Sequence, residues 1–142
     1  MKLIFALILL LVVGMSLSAQ TTIISNSHAQ IGQFSNIIIS SSWTNSPAYL
    51  CALSWGHSPG QKILNAWIPL NFDNLFVVSV QMANIYPFVY THGILRKDGG
   101  ALARVNIPNC IYLRGLRYSV AAIIYGGWRI MDVSNPWETQ IL

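Results

Sequence analysis

The sequence predicts an all-β fold, an antiparallel β-sandwich of about seven to nine short strands, behind a cleavable leader. Two observations predict it, and a third bears on its core and surface. Apolar and polar residues alternate with period two along most of the chain, and no useful stretch after the leader keeps a helical period. Gly, Pro, Asn and Asp punctuate these runs at the spacing of turns between short strands. The chain is 54% hydrophobic and only 8% charged, against roughly 25% charged in an ordinary soluble domain.

The leader comes first. Lys2 supplies a positive start, Leu3 to Val13 form an uninterrupted apolar run, and Gly14 breaks it. Small residues follow at Ser16, Ser18 and Ala19, a pattern for cleavage after Ser18 or Ala19. The run is shorter than the roughly 20 residues a bilayer span needs. Residues 1–19 are therefore read as a signal peptide, and residues 20–142 as a single exported domain on the surface, in the periplasm or outside the cell.

Strands are then expected at TTIIS (21–25) and FSNIIIS (34–40), the latter an uncharged edge able to pair with another chain. In YLCALSW, Tyr49, Cys51, Leu53 and Trp55 share one face, which makes Trp55 the best core tryptophan. The run at 75–82, LFVVSVQM, groups Phe76, Val78, Val80 and Met82 as a further strand. ALARVNI (101–107) turns Ala101, Ala103, Val105 and Ile107 inward, and LRYSVAAIIY (116–125) does so with Leu116, Tyr118, Val120, Ala122 and Ile124. WETQIL (137–142) closes the series. Asp98-Gly99-Gly100 reads as a short hairpin link, and Gly126-Gly127 as a two-residue type I′ loop. An eight-stranded outer-membrane barrel fits less well. It needs strands of about 9–11 residues, and these runs are shorter and interrupted by prolines.

One motif suggests chemistry. Gly56-His57-Ser58-Pro59-Gly60 spells the G-x-S-x-G elbow of serine hydrolases. In that elbow the residue after the serine donates its backbone N–H to the oxyanion hole, and Pro59 has none. Asp73 and His92 follow in hydrolase order, but the intervals are too short for the βαβ units the elbow belongs to. Ser-Pro-Gly is better read as a bend, and the chain as no enzyme. His28, His57 and His92 lack zinc spacing, and Asn71, Asp73 and Asn74 lack the glycine and regular spacing of a calcium loop. No metal or cofactor is predicted.

Cys51 and Cys110 form a candidate disulfide in an oxidising compartment, with two free thiols as the alternative. Six of the eight cations, Arg96, Lys97, Arg104, Arg114, Arg117 and Arg129, are dispersed along the second half. Nucleic-acid binding would need a clustered stripe, so it is not expected. The five tryptophans divide between core and surface. Trp43, Trp128 and Trp137 lie near predicted loops and are the candidate contacts for a glycan or a protein partner.

From about residue 48 to 136 the chain also resembles uncharacterised β-sandwich modules of exported bacterial proteins. The matching phrases are Leu53-Ser54 with Pro59-Gly60, Ile68-Pro69-Leu70-Asn71-Phe72-Asp73, Asp98-Gly99-Gly100-Ala101 leading to Asn106-Ile107-Pro108, Arg114-Gly115-Leu116-Arg117-Tyr118, and Ser134-Asn135. The resemblance implies an Ig-like sandwich used as a non-catalytic surface module, and it brings no active site. This chain departs from it in its two cysteines and its extra tryptophan. The expected function is a secreted structural or adhesive module that contacts copies of itself or other cell-surface proteins. A carbohydrate-binding module using exposed tryptophan is the alternative.

Overall fold

The structure, a computed structural model, describes residues 20–25 and 28–142. The leader read over residues 1–19 lies outside the described residues. In chain order the elements are β1 (Thr21–Ser25), β2 (Phe34–Ser41), β3 (Ala48–Ser54), β4 (Gln61–Ile63) and β5 (Ala66–Ile68). Then come α1 (Asn74–Gln81), β6 (Phe88–Val89), β7 (His92–Ile94), β8 (Gly100–Asn106), β9 (Arg117–Gly126), β10 (Arg129–Val133) and β11 (Trp137–Gln140). The fold is mostly β, and every ladder between these strands is antiparallel.

One sheet has the order β1-β2-β8-β6; a second has β10-β9-β3-β7, with β11 sharing the β10 side of β9. The two sheets meet over a common core. Ile37, Ile39, Ala103 and Val105 enter it from the first, and Cys51, Leu53, Val120 and Ile124 from the second. The alternation read in 101–107 holds, and of the inward set read in 116–125 Tyr118, Val120, Ala122 and Ile124 enter this core while Leu116 stays 43% exposed.

The second sheet is covered on its other face too. Ala52, Ala121, Ile123 and Ile130 form a separate buried cluster with Ile68, Leu70 and Phe76, beneath the β4–β5 hairpin and α1. Seven successive residues of β9, Tyr118 to Ile124, are consequently buried. Such a strand reads as a continuous apolar run instead of an alternating one, and Val120-Ala121-Ala122-Ile123-Ile124 is that run.

The strand expected at 75–82 is the α-helix α1. Asp73 sits extended at its N-cap and its Oδ1 accepts from the Phe76 N–H at 2.9 Å. That satisfies one of the donors a helix start leaves free. Helical spacing then puts Phe76, Ser79 and Val80 on one face, turned towards the second sheet. Ser79 Oγ accepts from the Leu53 N–H at 2.9 Å, occupying the side of β3 beyond the last β7 pair.

Other strand edges are occupied in the same way. FSNIIIS is not an edge: β2 lies between β1 and β8. Its isoleucine run suits a central strand with one face in the core. The side of β9 between β10 and β11 is filled by Ser134, which donates its N–H to Ala122 O (2.9 Å) and accepts from the Ala122 N–H at Oγ (2.8 Å). Thr21 Oγ1 donates to Asp132 Oδ2 at 2.7 Å, tying β1 of the first sheet to β10 of the second.

Both glycine turns differ from expectation. Gly126 pairs with Arg129, so the loop between β9 and β10 is Gly127-Trp128. Of the two loop residues only Gly127 has positive φ, at 59°, which is the type II′ arrangement and not I′. Asp98-Gly99-Gly100 does close a tight turn, the Gly99 N–H donating to Arg96 O and the Arg96 N–H to Gly100 O, but the strands it joins, β7 and β8, belong to different sheets, so the turn is a corner.

Cys51 and Cys110 are free, so the candidate bridge is not formed. Cys51 is enclosed in the main core, where burial pushes its thiol up to about 12. Cys110 lies partly exposed in the loop after Pro108.

Candidate functional site

The GHSPG segment is a bend between β3 and β4, and Ser58 is exposed. Its hydroxyl hydrogen-bonds to none of the described residues. The neighbouring imidazole turns elsewhere: His57 Nδ1 lies 3.3 Å from Ser119 Oγ and 3.5 Å from Glu138 Oε2. A hydroxyl, an imidazole and a carboxylate therefore do converge, on residues far apart in sequence. The arrangement does not make a relay. A triad needs the hydroxyl on one ring nitrogen and the carboxylate on the other, whereas both groups here compete for Nδ1. Ser119 is fully buried, and Arg117 Nη1 also holds Glu138, at 3.1 Å. The cluster closes the polar end of the sheet under the bend.

Asp73, the acid in hydrolase order, is committed to structure. Besides capping α1 it accepts from Ser54 Oγ at 2.7 Å and from the Trp55 N–H at 2.9 Å, both at Oδ2. One carboxylate thus fixes the end of β3 to the start of the helix. Asp73→Ala should cost about 1–3 kcal/mol, a lost cap plus the stranded Trp55 N–H, because the Ser54 hydroxyl keeps the Gly56 carbonyl as an acceptor at 2.6 Å. Asp73→Asn, which keeps an acceptor at the cap, should lose less than half of that. Urea unfolding of the two variants checks the ordering. Among the described residues no group of three or more His, Cys, Asp or Glu could hold a metal ion.

His92, the third hydrolase candidate, is exposed on β7; its Nε2 shares a hydrogen bond with the Tyr125 hydroxyl. The two rings stack at an interplanar angle of 12°.

The aromatics divide differently from expectation. Trp43 and Trp137 lie half-buried against the main core, and the buried Trp43 Nε1–H has no hydrogen-bond partner among the described residues. Trp55, expected in the core, is 43% exposed, because β3 ends at Ser54 and the chain turns out towards Asp73. Trp67 is exposed on β5, and Trp128 stands almost wholly in solvent at 98% exposure.

Two apolar clefts accompany them. One, of about 220 Å³, opens at the end of the main core beside Trp55, Phe88, Ile107 and Tyr118. The other, of about 230 Å³, lies on the outside of the second sheet between the β4–β5 and β9–β10 hairpins, with Trp128 at its rim. The hairpin that makes its other wall was missed in sequence. Its signal was Asn65, a turn residue between Ile63-Leu64 and Ala66-Trp67-Ile68.

A third surface is the open face of the first sheet. The register sets Phe34 opposite Asn106, Asn36 opposite Arg104 and Ile38 opposite Leu102. Phe34, Ile38 and Leu102 are each more than a third exposed, and Tyr86, whose hydroxyl donates to Asn106 Oδ1 at 2.9 Å, is 67% exposed.

No protein-family model matches this chain, and no curated protein is significantly similar to it.

Proposed function

We propose that this chain is an exported, non-catalytic Ig-like sandwich acting as a structural or adhesive module at the cell surface, and that it associates with further copies of itself. The observation that supports this reading is the open face of the first sheet. A sheet face turned to water is ordinarily polar, yet Phe34, Ile38 and Leu102 lie on this one, beside Tyr86. Arg104 is its one charged side chain among the described strand residues, so little repulsion opposes a second copy. Contact through a face also agrees with the gaps beside Leu53 and Ala122, where the ladders lapse and Ser79 and Ser134 take the place of a further strand.

Sedimentation velocity tests it. The chain should pass from monomer to dimer by tens of micromolar, and the Ile38→Asn, Leu102→Asn double variant should remain monomeric. A parent chain that stays monomeric throughout this range overturns the reading. A second reading, carbohydrate binding, draws on one observation: Trp128 presents a whole indole to solvent, and such a ring can stack on a sugar. Intrinsic fluorescence unchanged across a broad glycan panel would remove it.

A further inference from the structure

On the outside of the second sheet, two hairpins end side by side. β4 turns into β5 at Leu64-Asn65, and β9 turns into β10 at Gly127-Trp128. The Asn65 side chain locks them together: Nδ2 donates to the Ile130 carbonyl at 2.9 Å, and Oδ1 accepts from the Ile130 N–H at 3.1 Å. The tips are thus held in fixed relation by a side chain that mimics a neighbouring strand.

What the tips carry is apolar. Trp128 is 98% exposed and Leu64 is 69% exposed. Leu64 also has φ 52°, a left-handed conformation that glycine takes freely and a bulky side chain resists. A glycine would make the same turn with less strain, so the position keeps a leucine against its own backbone preference and leaves it in solvent. Behind the tips, the cleft of about 230 Å³ is floored by Leu50, Phe76, Ile123 and Ile130.

The charge around them has one sign. Lys62 and Arg129 flank the two turns, and neither forms an ion pair among the described residues. Residues 61–68 and 125–131 contain no Asp or Glu. The next acid along the chain, Asp132, is already engaged by Thr21.

We infer that the paired hairpin tips dock on the interfacial layer of an anionic phospholipid bilayer. Trp128 and Leu64 enter the boundary between headgroups and acyl chains, where an amphipathic indole is most at home. Arg129 and Lys62 meet the lipid phosphates, and the absence of local acids leaves nothing to repel them. The other occupants fit the chemistry less well. A glycan needs hydrogen-bonding groups around the stacking ring, and the Asn65 amide is already used. A second copy meeting tip to tip would bring like charges together. The inference rests on reading the chain as a contact module, but it uses the side of the molecule opposite the open face of the first sheet.

Co-sedimentation with large unilamellar vesicles tests it. The chain should pellet with vesicles of equal parts phosphatidylglycerol and phosphatidylcholine, and much less with phosphatidylcholine alone. Its tryptophan emission should shift to the blue, and binding should weaken as salt rises. Trp128→Ser combined with Leu64→Gly should lower the partition coefficient about ten-fold or more. Arg129→Gln should lower it about five-fold. Both sets of substitutions are at exposed positions, and unchanged circular dichroism and melting will verify the fold. The Ile38→Asn, Leu102→Asn variant should bind vesicles like the parent, so loss of self-association and loss of lipid binding are read separately. A chain that stays in the supernatant with anionic vesicles, or a tip variant that pellets like the parent, overturns the inference.

Discussion

Gly99→Ala should be among the most damaging single substitutions in this chain, while Gly100→Ala, one residue later, should leave stability within about 1 kcal/mol of the parent. Gly99 has φ 80°, and a Cβ built on it would stand 1.9 Å from the Ser41 carbonyl oxygen. That oxygen belongs to backbone, so it cannot swing aside as the end of a side chain could. Relief requires moving the corner itself. The corner is held by the Gly99 N–H donating to Arg96 O at 2.8 Å and by the Ser41 N–H donating to Gly99 O at 3.0 Å. Here the chain passes from β7 in one sheet to β8 in the other, so displacing it disturbs the entry to a central strand. The strain of left-handed alanine, the two weakened hydrogen bonds and the repacking together suggest a loss of about 3–5 kcal/mol. At Gly100 the nearest atoms are the ends of the Arg96 and Asp98 side chains. These can move. The Gly100 N–H, and after it Arg96, hold the Asp98 carboxyl below the usual carboxylate range, but the group is exposed. Urea unfolding midpoints with unchanged slopes should separate the two variants clearly, and near-equal midpoints would show that the corner yields.

That corner was visible in the sequence as Asp98-Gly99-Gly100; its role was not. Period-two alternation locates strands, and in 101–107 it also identifies the face in the core. It does not say which sheet a strand joins, so a change of sheet and a hairpin look alike. Alternation also misled at residues 75–82. Phe, Val, Val and Met at every second place, with β-branched valines, favour a strand by propensity. The Asp73 cap and the reach of Ser79 to Leu53 favour the helix, and tertiary contact prevails over weak local preference. Trp55 shows the same limit. It lies in phase with Cys51 and Leu53, but β3 ends one residue before it, and the phase ends there too. Pro59, by contrast, is legible outright, because its lack of an N–H after Ser58 is covalent and does not depend on the fold. The apolar hairpin tips could not be read in advance, because exposure depends on what the rest of the chain leaves uncovered.

The second cluster gives the other large prediction: Ile123→Ala should destabilise as much as Ile124→Ala, each by about 2–5 kcal/mol. Were the fold only two layers, one of these neighbours would face the core and the other water, and truncating the outer one would cost about 0.5 kcal/mol or less. Here Ile124 is fully buried between the sheets, and Ile123, only 6% exposed, is buried under α1 and the β4–β5 hairpin. Each truncation removes about three methylene equivalents and leaves a cavity that neighbours on a rigid sheet fill poorly. The two should differ in their spatial reach. Ile124→Ala loosens contacts from both sheets, so amide exchange should quicken in β2 and β8 as well as in β9. Ile123→Ala lies beneath the outer layer, so exchange should quicken first in α1 and β4–β5. The same layer supports the hairpin tips. Ile123→Ala should therefore weaken vesicle binding when exchange in β4–β5 rises, whereas Ile124→Ala at equal loss of stability should not. Equal exchange patterns in the two variants would mean that the second cluster is not a separate layer, and that the tips do not depend on it.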